Sequence, residues 1–163
     1  MSKDREIVER IKKKLDEKMQ LSAMDINVDC RDGNVILYGV VDVLGEKMLA
    51  EEIARSIDGV KSIENDITIS MDSSNITDSH IKNEIENKLY KSEKQEGLSN
   101  VGVNVKGGTA VLMGKVEDGL DKKKAIELAS SARGLANIVD NIKTEDEYKK
   151  LLSGRQLIRK GAF

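Results

Sequence analysis

Along the chain the spacing of apolar residues changes in a fixed order, and the order occurs twice. Ile7, Ile11 and Leu15 recur every four positions behind Asp4, a side chain suited to cap a helix, and Ile81, Ile85 and Leu89 do the same behind Thr77 or Asp78. Each stretch predicts an amphipathic helix. The period then falls to two: Ile26, Val28 and Cys30, then Val35, Leu37, Gly39 and Val41, on either side of Arg31-Asp32-Gly33-Asn34, predict a β-hairpin with an Asp-Gly turn. The second pass is Val101, Val103 and Val105, then Gly107-Gly108, then Ala110, Leu112, Gly114 and Val116. A second helix is predicted over about 45–58 and 120–133, with Ala50, Ile53, Ala54 and Ile57 or Ala125, Leu128, Ala129 and Ala132 on one face. Gly59 and Gly134 fall where a helix would close in a left-handed residue. Ile63, Ile67 and Ile69, or Ile138 and Ile142, mark a final strand.

The recurrence is a tandem duplication. Shifting the chain by 75 residues aligns Ile26–Ile67 with Val101–Ile142, with 13 of the 42 paired positions identical. The implied domains are residues 1–70 and 78–144, joined by the polar linker 71–77 and followed by a tail over 145–163. Strand, helical crossover, strand implies a parallel pair with a right-handed connection. The predicted fold class is therefore α+β: two tandem αββαβ units, each a three-stranded mixed sheet with two helices on one face. Gly39 and Gly114 fall in mid-strand on the core side, opposite the alanines of the second helix, and small residues on both sides would let helix and sheet approach closely.

The mid-strand Gly, the Ala-x-x-x-Ala helix and a closing Gly-Val-x-x-Ile-x-Asn-x-Ile resemble the BON (bacterial osmotically inducible and nodulation) domain family. The first copy follows that pattern at Gly39, Ala50, Ala54, Gly59, Val60, Ile63, Asn65 and Ile67; the second has Leu135 for Val and Asp140 for Asn. The resemblance implies a non-enzymatic role in envelope maintenance or osmotic-stress response, with association to anionic phospholipid. It also offers a small-ion reading, since a cytoplasmic relative that pairs one BON unit with a peptidoglycan-type module binds potassium.

Composition narrows the chemistry. One Cys and one His in 163 residues exclude an internal disulfide and leave too few soft ligands for a structural zinc site, and four aromatics leave little for stacking bases. No transmembrane stretch and no Gly-rich nucleotide motif occurs, and a net charge of −2 does not suit nucleic-acid binding. His80, in a first helical turn, has no assembled partners and reads as a surface residue. Cys30 corresponds to Val105 and reads as a buried structural thiol. Asp25-x-Asn27-x-Asp29 imitates the opening of a calcium loop, but Cys30 stands where such a loop needs Gly and Ile36 where it needs Glu. No catalytic residue, cofactor or metal is expected.

Two features rise above that background. Ile36, Tyr38 and Val40 share the outer face of the middle strand in the first unit, an apolar stripe of the kind that marks an interface: packing between the units, a second copy, or another protein. Residues 148–163 hold five bases, Lys149, Lys150, Arg155, Arg159 and Lys160, and no acid, so residues 1–147 carry −7. That tail would dock on its own acidic body, stay disordered, or lie on an anionic bilayer, with Gly154 interrupting any helix in it. The N-terminus lacks a secretory signal, which predicts a cytoplasmic protein, or a periplasmic one if the chain is a processed form. The function expected is a non-enzymatic tandem BON binding protein at anionic phospholipid surfaces, with a potassium sensor or a protein-interaction adaptor as alternatives.

Overall fold

The computed structural model describes residues 3–70, 76–90 and 98–162, without the side chains of residues 21, 22 and 154–162. The chain divides into two compact units, Met1–Asn75 and Ile76–Phe163. In the first, α1 (Lys3–Met19) leads through a 3-10 turn (Gln20–Asp25) into β1 (Ile26–Arg31), β2 (Asn34–Val41), α2 (Leu44–Arg55) and β3 (Ser62–Ile69). The second repeats this as α3 (Asp78–Tyr90), β4 (Val101–Lys106), β5 (Thr109–Val116), α4 (Gly119–Ser130) and β6 (Asn137–Thr144), and adds α5 (Glu145–Ala162). The middle strand of each sheet, β2 or β5, runs antiparallel to its hairpin partner and parallel to the strand after the crossover helix. The αββαβ expectation thus holds in both units.

Alternation along the strands assigns the faces. Val28, Val35, Leu37, Val41 and Ile67 turn inward and pack with Ile7, Ile11 and Leu15 of α1 and with Ala50, Ile53 and Ala54 of α2. Ile11 and Leu37 are fully buried, as are Ile85 and Leu112 in the second unit. Removing one such side chain to Ala costs about 2–5 kcal/mol in lost transfer energy and residual cavity.

Backbone geometry corrects three expectations. Asp4 does not cap its own helix: its carboxylate accepts the backbone N–H groups of Asp32 at 2.9 Å and Gly33 at 3.0 Å, at the tip of the first hairpin. In the second unit Thr77 takes the capping role, its Oγ1 accepting the His80 N–H, and Asp78 is free to bind the other turn. Both α2 and α4 end three residues earlier than expected, so Gly59 lies beyond the C-cap Ser56, in a later turn at φ +94°, where a Cβ would come within 3.2 Å of Ile7 Cδ1. Its role there is to let α1 pack over the turn. The mid-strand glycines answer to a different neighbour than the helix: a Cβ on Gly39 would stand 1.9 Å from the carbonyl oxygen of Asp25, and one on Gly114 2.0 Å from that of Asn100.

The tail is helical. Thr144 and Glu147 form a reciprocal capping box: Thr144 Oγ1 accepts the Glu147 N–H, and Glu147 Oε1 accepts the Thr144 N–H, each at 3.2 Å. The helix passes through Gly154 rather than stopping there. A single Gly costs only about 1 kcal/mol against Ala, less than the rest of the segment recovers.

Candidate functional site

The register of the first sheet places the apolar stripe inside an acidic frame. On the outer face Ile36 lies between Asp29 of β1 and Glu64 of β3, Tyr38 between Asn27 and Asp66, and Val40 beside Thr68. Ile36, Tyr38 and Val40 are 39%, 41% and 50% exposed, and the flanking carboxylates are exposed as well. Sequence reasoning found the stripe from its alternation. It missed the frame, because Asp29 and Glu64 lie 35 residues apart and meet Ile36 only through strand pairing.

The equivalent face of the second unit has Val111 between Asn104 and Val139, Met113 between Gly102 and Asn141, and Lys115 beside Lys143. Lys115 Nζ lies 3.3 Å from a Glu145 carboxylate oxygen and 5.3 Å from the centre of the Tyr148 ring, which ties the start of α5 to the end of β5. Lys122 of α4 makes a second tie, 3.6 Å from Asp140 and 3.4 Å from Glu147. The backbone and hydroxyl of Thr144, and then the Lys122 ammonium, stabilise the charged form of Glu147 and lower its pKa. Asp140 stands where the first unit has Asn65, whose Nδ2 donates to the Lys47 carbonyl at 2.9 Å and to Glu51 Oε1 at 3.3 Å. A carboxylate cannot donate, and the side chain of Lys122, the counterpart of Lys47, supplies the contact instead.

Of the five tail bases, Lys149 and Lys150 are exposed on α5; the side chains of Arg155, Arg159 and Lys160 lie outside the described residues. Beside the two lysines, Leu151 and Leu152 are 43% and 42% exposed. These groups belong to the second unit, and Ile36, Tyr38 and Val40 to the first. Gly39, Gly59, Gly114 and Gly134 all have positive φ and sit in turns or close backbone approaches.

Among the described residues the remaining titratable groups do not form a cluster of three or more metal-ligating side chains. Cys30 is half-buried, since β1 is an edge strand, and its Sγ donates to Asp4 Oδ1 at 3.5 Å. Burial pushes the thiol pKa up and the Asp4 carboxylate adds to the shift, the opposite of what an attacking thiolate needs. Asp4 itself is held below the usual carboxylate range, first by the Asp32 and Gly33 N–H groups. Both line an open cleft of about 640 Å³ at the edge of β1, where Arg5, Lys12, Asp29 and Arg31 mix the two signs of charge. Tyr90, whose hydroxyl donates to the Val101 carbonyl oxygen, has its pKa raised by burial and by Glu86. Among the described residues no cluster of three or more His, Cys, Asp or Glu is placed to hold a metal ion, and no helix is long and apolar enough to cross a membrane.

A twice-repeated mixed αββαβ sheet with helices on its inner face defines a tandem small-domain protein. The BON domain family matches over residues 3–71 and again over 77–146, and the chain belongs to that family. No curated protein matches it. Among solved structures, the C-terminal domain of CdsD, a structural protein of the type III secretion system of Chlamydia trachomatis, is similar at 16% identity, covering 86% of this chain and 66% of that one with a TM-score of 0.35. A second CdsD structure from the same organism is similar at 16% identity and a TM-score of 0.35, over 91% of this chain and 68% of that one.

Proposed function

We propose that this tandem BON protein is a non-enzymatic binding protein that associates with anionic phospholipid surfaces, in envelope maintenance or osmotic-stress response. The observation that carries the reading is α5: a continuous helix whose acidic first turn is tied to the second unit through Lys115 and Lys122, and which next presents Lys149 and Lys150 beside exposed Leu151 and Leu152. A basic helix with an apolar side favours the boundary between headgroups and acyl chains. The magnitude is modest. Five bases at about 1 kcal/mol each near an anionic surface total about 5 kcal/mol, an affinity in the sub-millimolar range. Burial of the two leucines in the acyl boundary, at about 25 cal/mol per Å², carries it toward the micromolar range.

Cosedimentation with vesicles tests this. The full chain is expected to pellet with vesicles rich in phosphatidylglycerol at low salt, less at 0.5 M salt, and not with phosphatidylcholine vesicles; Lys149→Glu with Lys150→Glu is expected to abolish pelleting. Equal pelleting on both lipids, or none on either, sinks the reading.

A further inference from the structure

The two sheets descend from one duplicated sequence, so a one-directional difference between their outer faces calls for a cause. Position by position Asp29 is matched by Asn104, Glu64 by Val139, Asp66 by Asn141, Val40 by Lys115 and Thr68 by Lys143. Each of these five changes makes the second face more positive by one charge, and the one other charged pair on this face, Arg31 and Lys106, keeps its sign; the opposite change, Asn65 to Asp140, lies on the helix side of the sheet. Drift would mix changes of both signs on one face, as happens elsewhere on the repeats. Residues 4–70 carry 15 acids and 10 bases, and residues 78–144 carry 10 acids and 11 bases, so the repeats differ by six charges, −5 against +1. The changes on this face all run one way and sum to +5, whereas elsewhere they run both ways, Asp58 to Arg133 against Lys61 to Ala136, and sum to only +1.

The apolar centre survives the change. Val111 and Met113 replace Ile36 and Tyr38, Val139 joins them, and Met113 and Val139 remain about 40% exposed. An apolar stripe framed by acids and an apolar stripe framed by bases are complementary in both hydrophobicity and charge. We propose that the acidic-framed sheet face of the first unit in one copy of the chain seats the basic-framed sheet face of the second unit in another copy. Glu145 and Tyr148 already occupy the corner around Lys115, which leaves Lys106, Lys143 and the three apolar residues of the second face for the contact. The proposal uses other residues than the lipid reading and stands or falls apart from it.

Size sets the expected strength. Three strands about 4.8 Å apart, two of them eight residues and one six residues long at about 3.3 Å per residue, give a face of at most roughly 10 by 26 Å. That footprint, a few hundred Å² a side, is smaller than the ~800 Å² per partner of a stable complex. Association is therefore weak and concentration-dependent.

Sedimentation velocity of the full chain from about 5 to 500 μM tests the contact, at low salt and at 0.5 M salt. The weight-average mass is expected to rise with concentration and to rise less at high salt, where exposed charges are screened. Glu64→Lys with Asp66→Lys is expected to weaken association at least tenfold, and Lys106→Glu with Lys143→Glu to do the same. An equimolar mixture of the two variants regains it, because each then carries a face complementary to the other. All four residues are on the solvent side of the sheets, and unchanged circular dichroism and melting verify folding. A wild-type chain that stays monomeric across the range overturns the proposal, whether the faces pair within one chain or bind another protein; so does a mixture that fails to associate.

Discussion

The carboxylate of Asp4 accepts the backbone N–H of Gly33, 29 residues later, at 3.0 Å, and in the second unit Asp78 accepts that of Gly108 at 3.1 Å. The turns place two residues in a row at positive φ, Asp32 and Gly33 or Gly107 and Gly108, the mirror-image turn geometry that matches strand twist. That geometry aims adjacent N–H groups at one point. An aspartate in the first turn of the preceding helix answers them, locking helix to hairpin.

This lock titrates. Asp4 is more acidic folded than unfolded, so its contribution is present above the ordinary aspartate value of 3.8 and is lost as pH falls from there through the folded value. Glu147 acts in the same direction, below 4.5. Urea midpoints measured from pH 7 to pH 2.5 are expected to drop in this window. Asp4→Asn should have a lower midpoint at pH 7 and a shallower acid decline, and a variant that retains the full decline contradicts the assignment.

Gly39→Ala and Gly114→Ala each drive a Cβ into a backbone carbonyl oxygen, and relief requires the start of β1 or β4 to move. The expected cost is about 3 kcal/mol or more in the affected unit. Gly107→Ala is the matched control: it too has positive φ, but nothing lies within 4 Å of the added Cβ, and about 1 kcal/mol is expected. Thermal unfolding of the three variants distinguishes collision from simple conformational preference.

Asn65 and Asp140 occupy equivalent positions with different chemistry, which predicts unequal effects of exchanging them. Asn65→Asp removes the donor to Lys47 O and sets a carboxylate against Glu51, at an expected cost of about 1–3 kcal/mol. Asp140→Asn keeps the acceptor for the Ile142 N–H and loses only a partly exposed ion pair with Lys122, about 1 kcal/mol or less. Adding Glu51→Gln to Asn65→Asp should recover part of the first loss. Denaturant unfolding of the single and double variants measures both terms.

Gly154→Ala follows from the continuity of α5. Replacing a mid-helix Gly stabilises the helix by about 1 kcal/mol, about a fivefold gain for any binding that requires the helix. Tighter pelleting on anionic vesicles, with helicity rising in circular dichroism, is the expected result, and unchanged binding would show that α5 helicity does not limit it.

Much of the fold was legible because it was written as spacing. Ile7, Ile11 and Leu15 declare a helix face, Val35, Leu37 and Val41 a strand face, and duplication confirms each by repetition. Helix ends were less legible: Asp4 looks like a cap in one dimension, and only the hairpin folding back reveals stronger claimants for its carboxylate. The capping box of Thr144 and Glu147 was readable as Thr-x-x-Glu and would have located the start of α5. The exposed stripe at Ile36, Tyr38 and Val40 was visible from alternation alone.

The sequence by itself determined the two αββαβ units, their cores and the polarity of the chain, because periodicity and composition are local and the duplication repeats them. Tertiary structure alone decided why Gly39 must be Gly, since the obstacle is the Asp25 carbonyl oxygen brought over β2 by the preceding turn. It also decided which charges frame which face. Asp29, Ile36 and Glu64 share a row only because β2 pairs antiparallel with one neighbour and parallel with the other, a register set by long-range hydrogen bonds that no short window of sequence contains.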